Sequence, residues 1–165
     1  MTPAHDKDMT ASRQLCTFVV DGLLFGVDVM NVQEVLRYQE TTSVPLAPPT
    51  VRGLVNLRGQ IVTAIEMRAR LGLPERRRED LPMNVVTTTR SGTMSLLVDE
   101  LGDVLEVDRH AFEAAPEMMN VALRELVLGV FNLEGRLLLL LDSERVAALG
   151  PTSATRINEV ATWEL

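Results

Sequence analysis

Cysteine is nearly absent from this chain of 165 residues: Cys16 is the only one, so no disulfide can form within it, which fits a reducing compartment. Aromatic residues are scarce at 4%, and histidine occurs only at His5 and His110. Long apolar runs are missing as well. The longest, Leu137 to Leu141, falls far short of the roughly 20 residues that a membrane-spanning helix requires. The segment Met1 to Arg13 carries Asp6, Lys7 and Asp8 among small residues and lacks the apolar stretch of a signal peptide or anchor. A cytoplasmic protein without membrane insertion is expected.

Positive charge is also in the minority. Sixteen lysines and arginines face 23 aspartates and glutamates, and the net charge of −7 repels a phosphate backbone unless the cations gather in one patch. The one such run, Arg76-Arg77-Arg78, is flanked by Glu75, Glu79 and Asp80, which cancel its field, so it reads as a solvated loop and no nucleic-acid partner is expected.

Catalytic parts are equally short. Nucleophilic catalysis needs a base beside a serine or cysteine, yet His5 lies in the N-terminal tail and His110 in a polar, surface-like stretch. There is no glycine-rich phosphate loop, paired-histidine motif or cysteine cluster, so neither metal nor nucleotide nor any other cofactor is expected. Asp99-Glu100, or Glu113 with Glu117, are the carboxylates that could pair for acid–base work. They keep open the alternative of a small ligand-binding or carboxylate-dependent β-barrel enzyme.

What the chain does have is a folding composition, 46% hydrophobic and 24% charged, in a length that suits one domain or two interdependent subdomains. Turn signals at Asp21-Gly22, Arg58-Gly59, Ser91-Gly92 and Glu134-Gly135 each separate two aliphatic, β-branched runs and predict four hairpins. The strands read as Leu15–Val20 with Leu24–Val29, Leu54–Leu57 with Gln60–Ile65, Asn84–Thr89 with Thr93–Val98, and Gly129–Leu133 with Arg136–Leu141. The fold class is therefore mainly β. Short helices are expected at Met30–Leu36, at Met67–Leu71 before Gly72, and at Ser143–Leu149 before Gly150-Pro151.

The second and fourth hairpins repeat one another. Gly53-Leu54-Val55-Asn56-Leu57-Arg58-Gly59 aligns with Gly129-Val130-Phe131-Asn132-Leu133-Glu134-Gly135 at a spacing of 76 residues, and each is followed by an aliphatic strand and an acid, Glu66 or Asp142. Val35-Leu36 matches Val104-Leu105 at a spacing of 69. One supersecondary unit thus occurs twice, predicting two small barrels or sandwiches side by side, which would leave few strand edges exposed. Residues 1–14 read as a flexible N-terminal tail, and residues 15–149 as one domain of two similar halves, 15–80 and 83–149. Residues 150–165 read as a tail or a docking helix, with Ile157, Val160, Ala161 and Glu164 at partly helical spacing beside Trp163.

The stretch Val51-Arg52-Gly53-Leu54-Val55-Asn56-Leu57-Arg58-Gly59-Gln60-Ile61-Val62 resembles the signature of the CheW-like family of chemotaxis coupling proteins. Val32-Gln33-Glu34-Val35-Leu36, Val44-Pro45 with Pro48, Leu97-Val98-Asp99 with Asp103-Val104-Leu105, and Ala115-Pro116 extend the likeness across Leu15 to Leu149. Thr63 and Glu66 stand where the family usually has proline and aspartate. The resemblance implies two five-stranded β-barrels enclosing an apolar groove, and a non-enzymatic adaptor between the cytoplasmic tip of a chemoreceptor and the regulatory domain of a CheA-type histidine kinase. It carries over Val32, Glu34, Val35, Leu36, Gly53, Arg58, Ile61 and Val104 as candidate protein-contact residues. Among them Val32, Val35, Leu36 and Val104 would line the groove, Arg58 would make a forked contact, and Gly53 would be conformational.

Overall fold

The computed structural model describes residues 12–148; the expectations for residues 1–11 and 149–165 lie outside the described residues. All four hairpins form. β1 (Ser12–Val20) pairs with β2 (Leu23–Asp28), β4 (Val51–Leu57) with β5 (Gln60–Glu66), β6 (Met83–Thr89) with β7 (Gly92–Val98), and β10 (Val127–Leu133) with β11 (Arg136–Leu141). At Asp21-Gly22 and Arg58-Gly59 both turn residues have positive φ, the conformation whose twist matches a tight two-residue hairpin. Helices α1 (Met67–Arg70) and α3 (Ser143–Ala148) stand where expected, and Gly72 follows α1 at φ 70°.

The helix expected over Met30–Leu36 does not form. A single 3-10 turn, Val29–Asn31, is capped by Asp28, whose Oδ1 accepts from the Met30 N–H at 2.9 Å, and the chain then extends as β3 (Val32–Leu36). Burial in β3 alternates residue by residue, and the strand is hydrogen-bonded to β6 from Asn84 to Thr87. A ladder of that length outcompetes a short helix, whose nucleation is unfavourable and whose sequence here contains two valines. Conversely, α2 (Val121–Leu126) lies in a stretch with no helix expectation; the Asn120 side chain caps it by accepting from the Leu123 N–H at 2.8 Å.

Two sheets result, one ordered β8-β1-β2-β11-β10-β9 and the other β3-β6-β7-β5-β4, where β8 is Glu100–Asp108 and β9 is Phe112–Glu113. The repeats exchange parts. Each first hairpin joins the other repeat's single strand and second hairpin: β1-β2 with β8 and β10-β11, β6-β7 with β3 and β4-β5. The parallel junctions β2 with β11 and β5 with β7 are the two places where hairpins from different repeats meet.

In place of two closed five-stranded barrels there are sheets of six and five strands whose ladders stay open. Chain continuity spans each gap instead. β8 and β9, the two edges of the first sheet, are joined through the 3-10 turn Arg109–Ala111, and the chain beyond β3 returns to bridge the far edge of the second sheet at Thr42 and Leu54. The closing contacts are too short to make a full ladder, β9 being two residues long.

Both closures depend on equivalent glycines set at strand irregularities, Gly53 on β4 and Gly129 on β10. A Cβ on Gly53 would overlap the Thr42 carbonyl, and one on Gly129 would lie 2.6 Å from the Glu113 carbonyl oxygen and overlap the Phe112 ring. The largest apolar core lies between the sheets and draws on both, with Phe18, Phe25, Ile65, Met67, Leu71 and Leu96 buried in it. Each sheet keeps a smaller core of its own, around Leu15, Phe131 and Leu138 in the first and Val55, Val62 and Leu97 in the second.

Gly53→Ala and Gly129→Ala are expected to cost about 2 kcal/mol or more, because backbone must shift to admit the methyl group. Gly135→Ala, at a turn with φ 74° and open space around it, should cost about 1 kcal/mol. Urea midpoints at constant m-value compare the three, and equal losses would remove the close-approach argument.

Candidate functional site

Arg58 occupies the first turn position of the β4–β5 hairpin at φ 54°, and its side chain is 80% exposed. Asn56 fixes the turn by accepting from the Gly59 N–H at 2.9 Å. Across the gap in the second sheet, a guanidinium nitrogen of Arg58 lies 3.2 Å from a carboxylate oxygen of Glu34 on β3. An ion pair this exposed adds little stability; it links the β3 edge and the hairpin tip across the gap. Val35 follows Glu34 and is exposed, as is Ile61, three residues beyond Arg58. Of the residues expected to make contacts, Glu34 and Arg58 are brought together by this bridge, while Val35, on the opposite face of β3, and Ile61 on β5 are exposed.

The others are placed differently. Val32 and Leu36 are partly buried, Val32 against the shared core and Leu36 against the second sheet's own core. Gly53 is buried at the closure described above. Val104 is 55% exposed but stands on β8 in the first sheet, paired with Cys16.

A second constellation was not foreseen from sequence. Asp99, just after β7, accepts from the Arg68 Nε (3.0 Å) and Arg76 Nε (3.0 Å) at Oδ1, and from the Arg68 Nη2 (2.7 Å) and the Asp21 N–H (2.7 Å) at Oδ2. Arg76 also donates to Glu66 at 2.8 Å. The side chain of Arg76 is only 7% exposed, which corrects its reading as part of a solvated loop; Arg77 and Arg78 are exposed as expected. Carboxylates 10 and 23 residues away, Glu66 and Asp99, neutralise it, and this long-range pairing outweighs the acids adjacent in sequence. The available signal was Glu66 itself, which like Asp142 in the other repeat caps the helix that follows.

Burial alone would push the Asp99 carboxyl up, but the bonds from Arg68, from the Asp21 N–H and from Arg76 outweigh it and hold the group below its ordinary range. Such a carboxylate is a poor general acid and a weak base near neutrality, which argues against Asp99-Glu100 as a catalytic pair. Glu113 and Glu117 are both exposed, on β9 and in the turn after it. The clefts beside the cluster, about 660 and 630 Å³, are lined by Arg68 and Arg76, guanidinium groups already engaged. Among the described residues no group of three or more His, Cys, Asp or Glu could hold a metal ion, and no helix is long and apolar enough to cross a membrane.

Strand exchange between two sheets, an arginine-tipped hairpin on the surface and a buried cluster in which Asp99 and Glu66 are tied up by Arg68 and Arg76 define a class: a mainly β module of two interlocked sheets. Comparison with known proteins gives the family. A family model described as the CheW-like domain matches residues 14–149, and the chain belongs to that family. It is 30% identical over 146 residues to the chemotaxis protein CheW of Rhizobium meliloti (strain 1021), covering 88% of this chain and 94% of that protein. To the chemotaxis protein CheW of Bacillus subtilis (strain 168) it is 29% identical over 139 residues, covering 84% and 89%. Its fold is similar to that of the scaffolding protein TtCheW from Thermoanaerobacter tengcongensis, with a TM-score of 0.72 at 22% identity over 81% of this chain and 91% of that one.

Because the folded state lowers the Asp99 pKa, Asp99 stabilises the protein fully above its unfolded-state value near about pH 4, and that contribution is lost as pH falls through the lower folded value. Asp99→Asn should therefore cost about 2–3 kcal/mol at neutral pH and flatten the decline of stability below about pH 4. Urea unfolding across that pH range measures both; an unchanged slope would show that Asp99 does not set it.

Proposed function

We propose that this protein is a non-enzymatic cytoplasmic adaptor that couples chemoreceptors, the methyl-accepting proteins, to a CheA-type histidine kinase in a signalling array. Family membership supports the reading, since its relatives are named as chemotaxis proteins and its structural neighbour as a scaffolding protein. The observation that carries the site is Arg58. A left-handed backbone disfavours arginine, and the equivalent Glu134 in the other repeat does not adopt one. Its exposed pair with Glu34 adds little stability, so folding alone gives weak reason for arginine in that turn, and a partner contact supplies one.

In this reading the Arg58 guanidinium forks onto a carboxylate or carbonyl of the receptor's cytoplasmic tip, with Glu34 holding it in place. Val35 and Ile61 meet the apolar stripe of the receptor helix. The kinase's regulatory domain takes a separate surface, and the protein touches the membrane only through its receptors. Receptor state reaches the kinase because contacts with the adaptor differ between the two receptor conformations, which biases the kinase equilibrium without any chemical step in the adaptor.

Pull-down with a receptor cytoplasmic region and with the kinase's regulatory domain tests this. Arg58→Asn should keep or raise stability, by up to about 1 kcal/mol, since asparagine tolerates the turn, while weakening receptor capture about tenfold. Wild type capturing neither partner would end the adaptor reading; normal receptor capture by Arg58→Asn would remove only this contact.

A further inference from the structure

Arg52 interrupts the ladder between β4 and β5. Val51 pairs with Ile65 and Gly53 with Ala64, so Arg52 is the extra residue of a bulge, a device that turns one side chain out of the regular alternation. The other repeat has the same irregularity on β10, between Val127 and Gly129, and fills it with Leu128. The bulge therefore does not require a cation.

Arg52 lines the cleft of about 660 Å³ together with the loop that joins the two repeats. That loop is fixed. The Leu73 N–H donates to the Arg68 carbonyl at 2.8 Å, Arg68 Nη1 donates to the Pro74 carbonyl at 2.9 Å, and the side chain of Arg76 is buried in its ion pairs. Arg77 and Arg78 follow this anchor directly, are exposed, and line the same cleft. Arg77 divides its charge between two exposed acids, Glu79 and Asp80, whereas among the described residues no carboxylate pairs with Arg52 or Arg78. Five arginines and only three carboxylates line the cleft, in a chain whose net charge is −7. Tyr38, the only tyrosine of the chain, and Leu81 add exposed apolar surface to its wall.

A cleft of positive balance in an acidic protein concentrates small anions. Guanidinium groups match phosphate oxygens in pairs, and a tyrosine ring offers a face on which a planar base stacks. The volume is that of a small-molecule site. An extended acidic peptide finds less here, because the β4 edge beside Arg52 already carries the Thr42 bridge at Leu54. We propose that this cleft binds a nucleoside polyphosphate, with its phosphates on Arg52, Arg77 and Arg78 and its base against Tyr38. None of these residues belongs to the Arg58 contact, so the assignment stands apart from the adaptor reading.

Calorimetric titration of the full chain at low salt, without added metal, tests it with ATP, tripolyphosphate, adenosine and a hexaglutamate peptide as probes. ATP should bind with a dissociation constant below about 1 mM, and more tightly than tripolyphosphate or adenosine alone. Arg52→Leu, which copies the residue at the equivalent bulge, and Arg78→Gln should unfold at the wild-type temperature and each weaken ATP about tenfold. Tyr38→Leu should weaken ATP about threefold or more and leave tripolyphosphate unchanged. Arg109→Gln, at an exposed arginine in the 3-10 turn after β8, should change neither. Absence of ATP binding at about 1 mM, wild-type affinity in both Arg52→Leu and Arg78→Gln, or an equal loss in Arg109→Gln would overturn the assignment. Tighter binding of hexaglutamate than of ATP would overturn it in favour of an acidic peptide.

Discussion

The apolar seam between the two sheets is the constraint on which the rest of the molecule depends. Nineteen buried residues fill it, against six in each sheet's own core, so the sheets are held to each other by more apolar packing than either has alone. Fully burying a side chain the size of Phe18, Ile65 or Leu96 stabilises by about 1.5–3 kcal/mol, and these come from both sheets. Strand exchange makes the seam obligatory. Because β1-β2 sits with β10-β11 and β6-β7 with β4-β5, neither sheet can be completed from one repeat, and the hairpin tips inherit fixed relative positions.

The ion cluster at Asp99 does with charge what the seam does with apolar surface. One carboxylate gathers the turn of the first hairpin through Asp21, α1 through Arg68 and the following loop through Arg76. Buried pairs of this kind add little net stability over an apolar filling, but removing one partner strands the others, so they hold one arrangement against its neighbours. Arg70 acts similarly at the other helix, donating to the carbonyls of Arg145 and Val146 at the end of α3.

Much of this was legible in the sequence, and the misses share a cause. Hairpins at Asp21-Gly22 and Arg58-Gly59 could be read because turn chemistry is local, and the repeat because Asn56-Leu57-Arg58-Gly59 and Asn132-Leu133-Glu134-Gly135 align without any structure. β3 could not: Val32, Val35 and Leu36 fit helical spacing and also an alternating strand, and pairing with β6, some fifty residues on, decides between them. Arg76 was misread because its partners are remote. Of the candidate contact residues, Arg58 and Glu34 could be named individually, but their 3.2 Å pairing arises from the curl of the second sheet, and so does the burial that takes Val32 and Leu36 off the surface.

The repeat also sets two equivalent surfaces side by side with different charge. Glu34, Val35, Arg58 and Ile61 in the second sheet correspond, by the repeat spacings, to Asp103, Val104, Glu134 and Leu137 in the first. The apolar members persist in both sets, since Val35, Ile61, Val104 and Leu137 are all exposed. The charge does not. Where one surface offers an acid bridged to an arginine, its counterpart offers two acids, so an anionic group would meet attraction at Arg58 and repulsion at Glu134. The two surfaces thus share apolar centres and differ in the charge at the hairpin tip. Duplication supplied a rigid frame with two equivalent positions, and substitution at the tips was enough to make those positions chemically different.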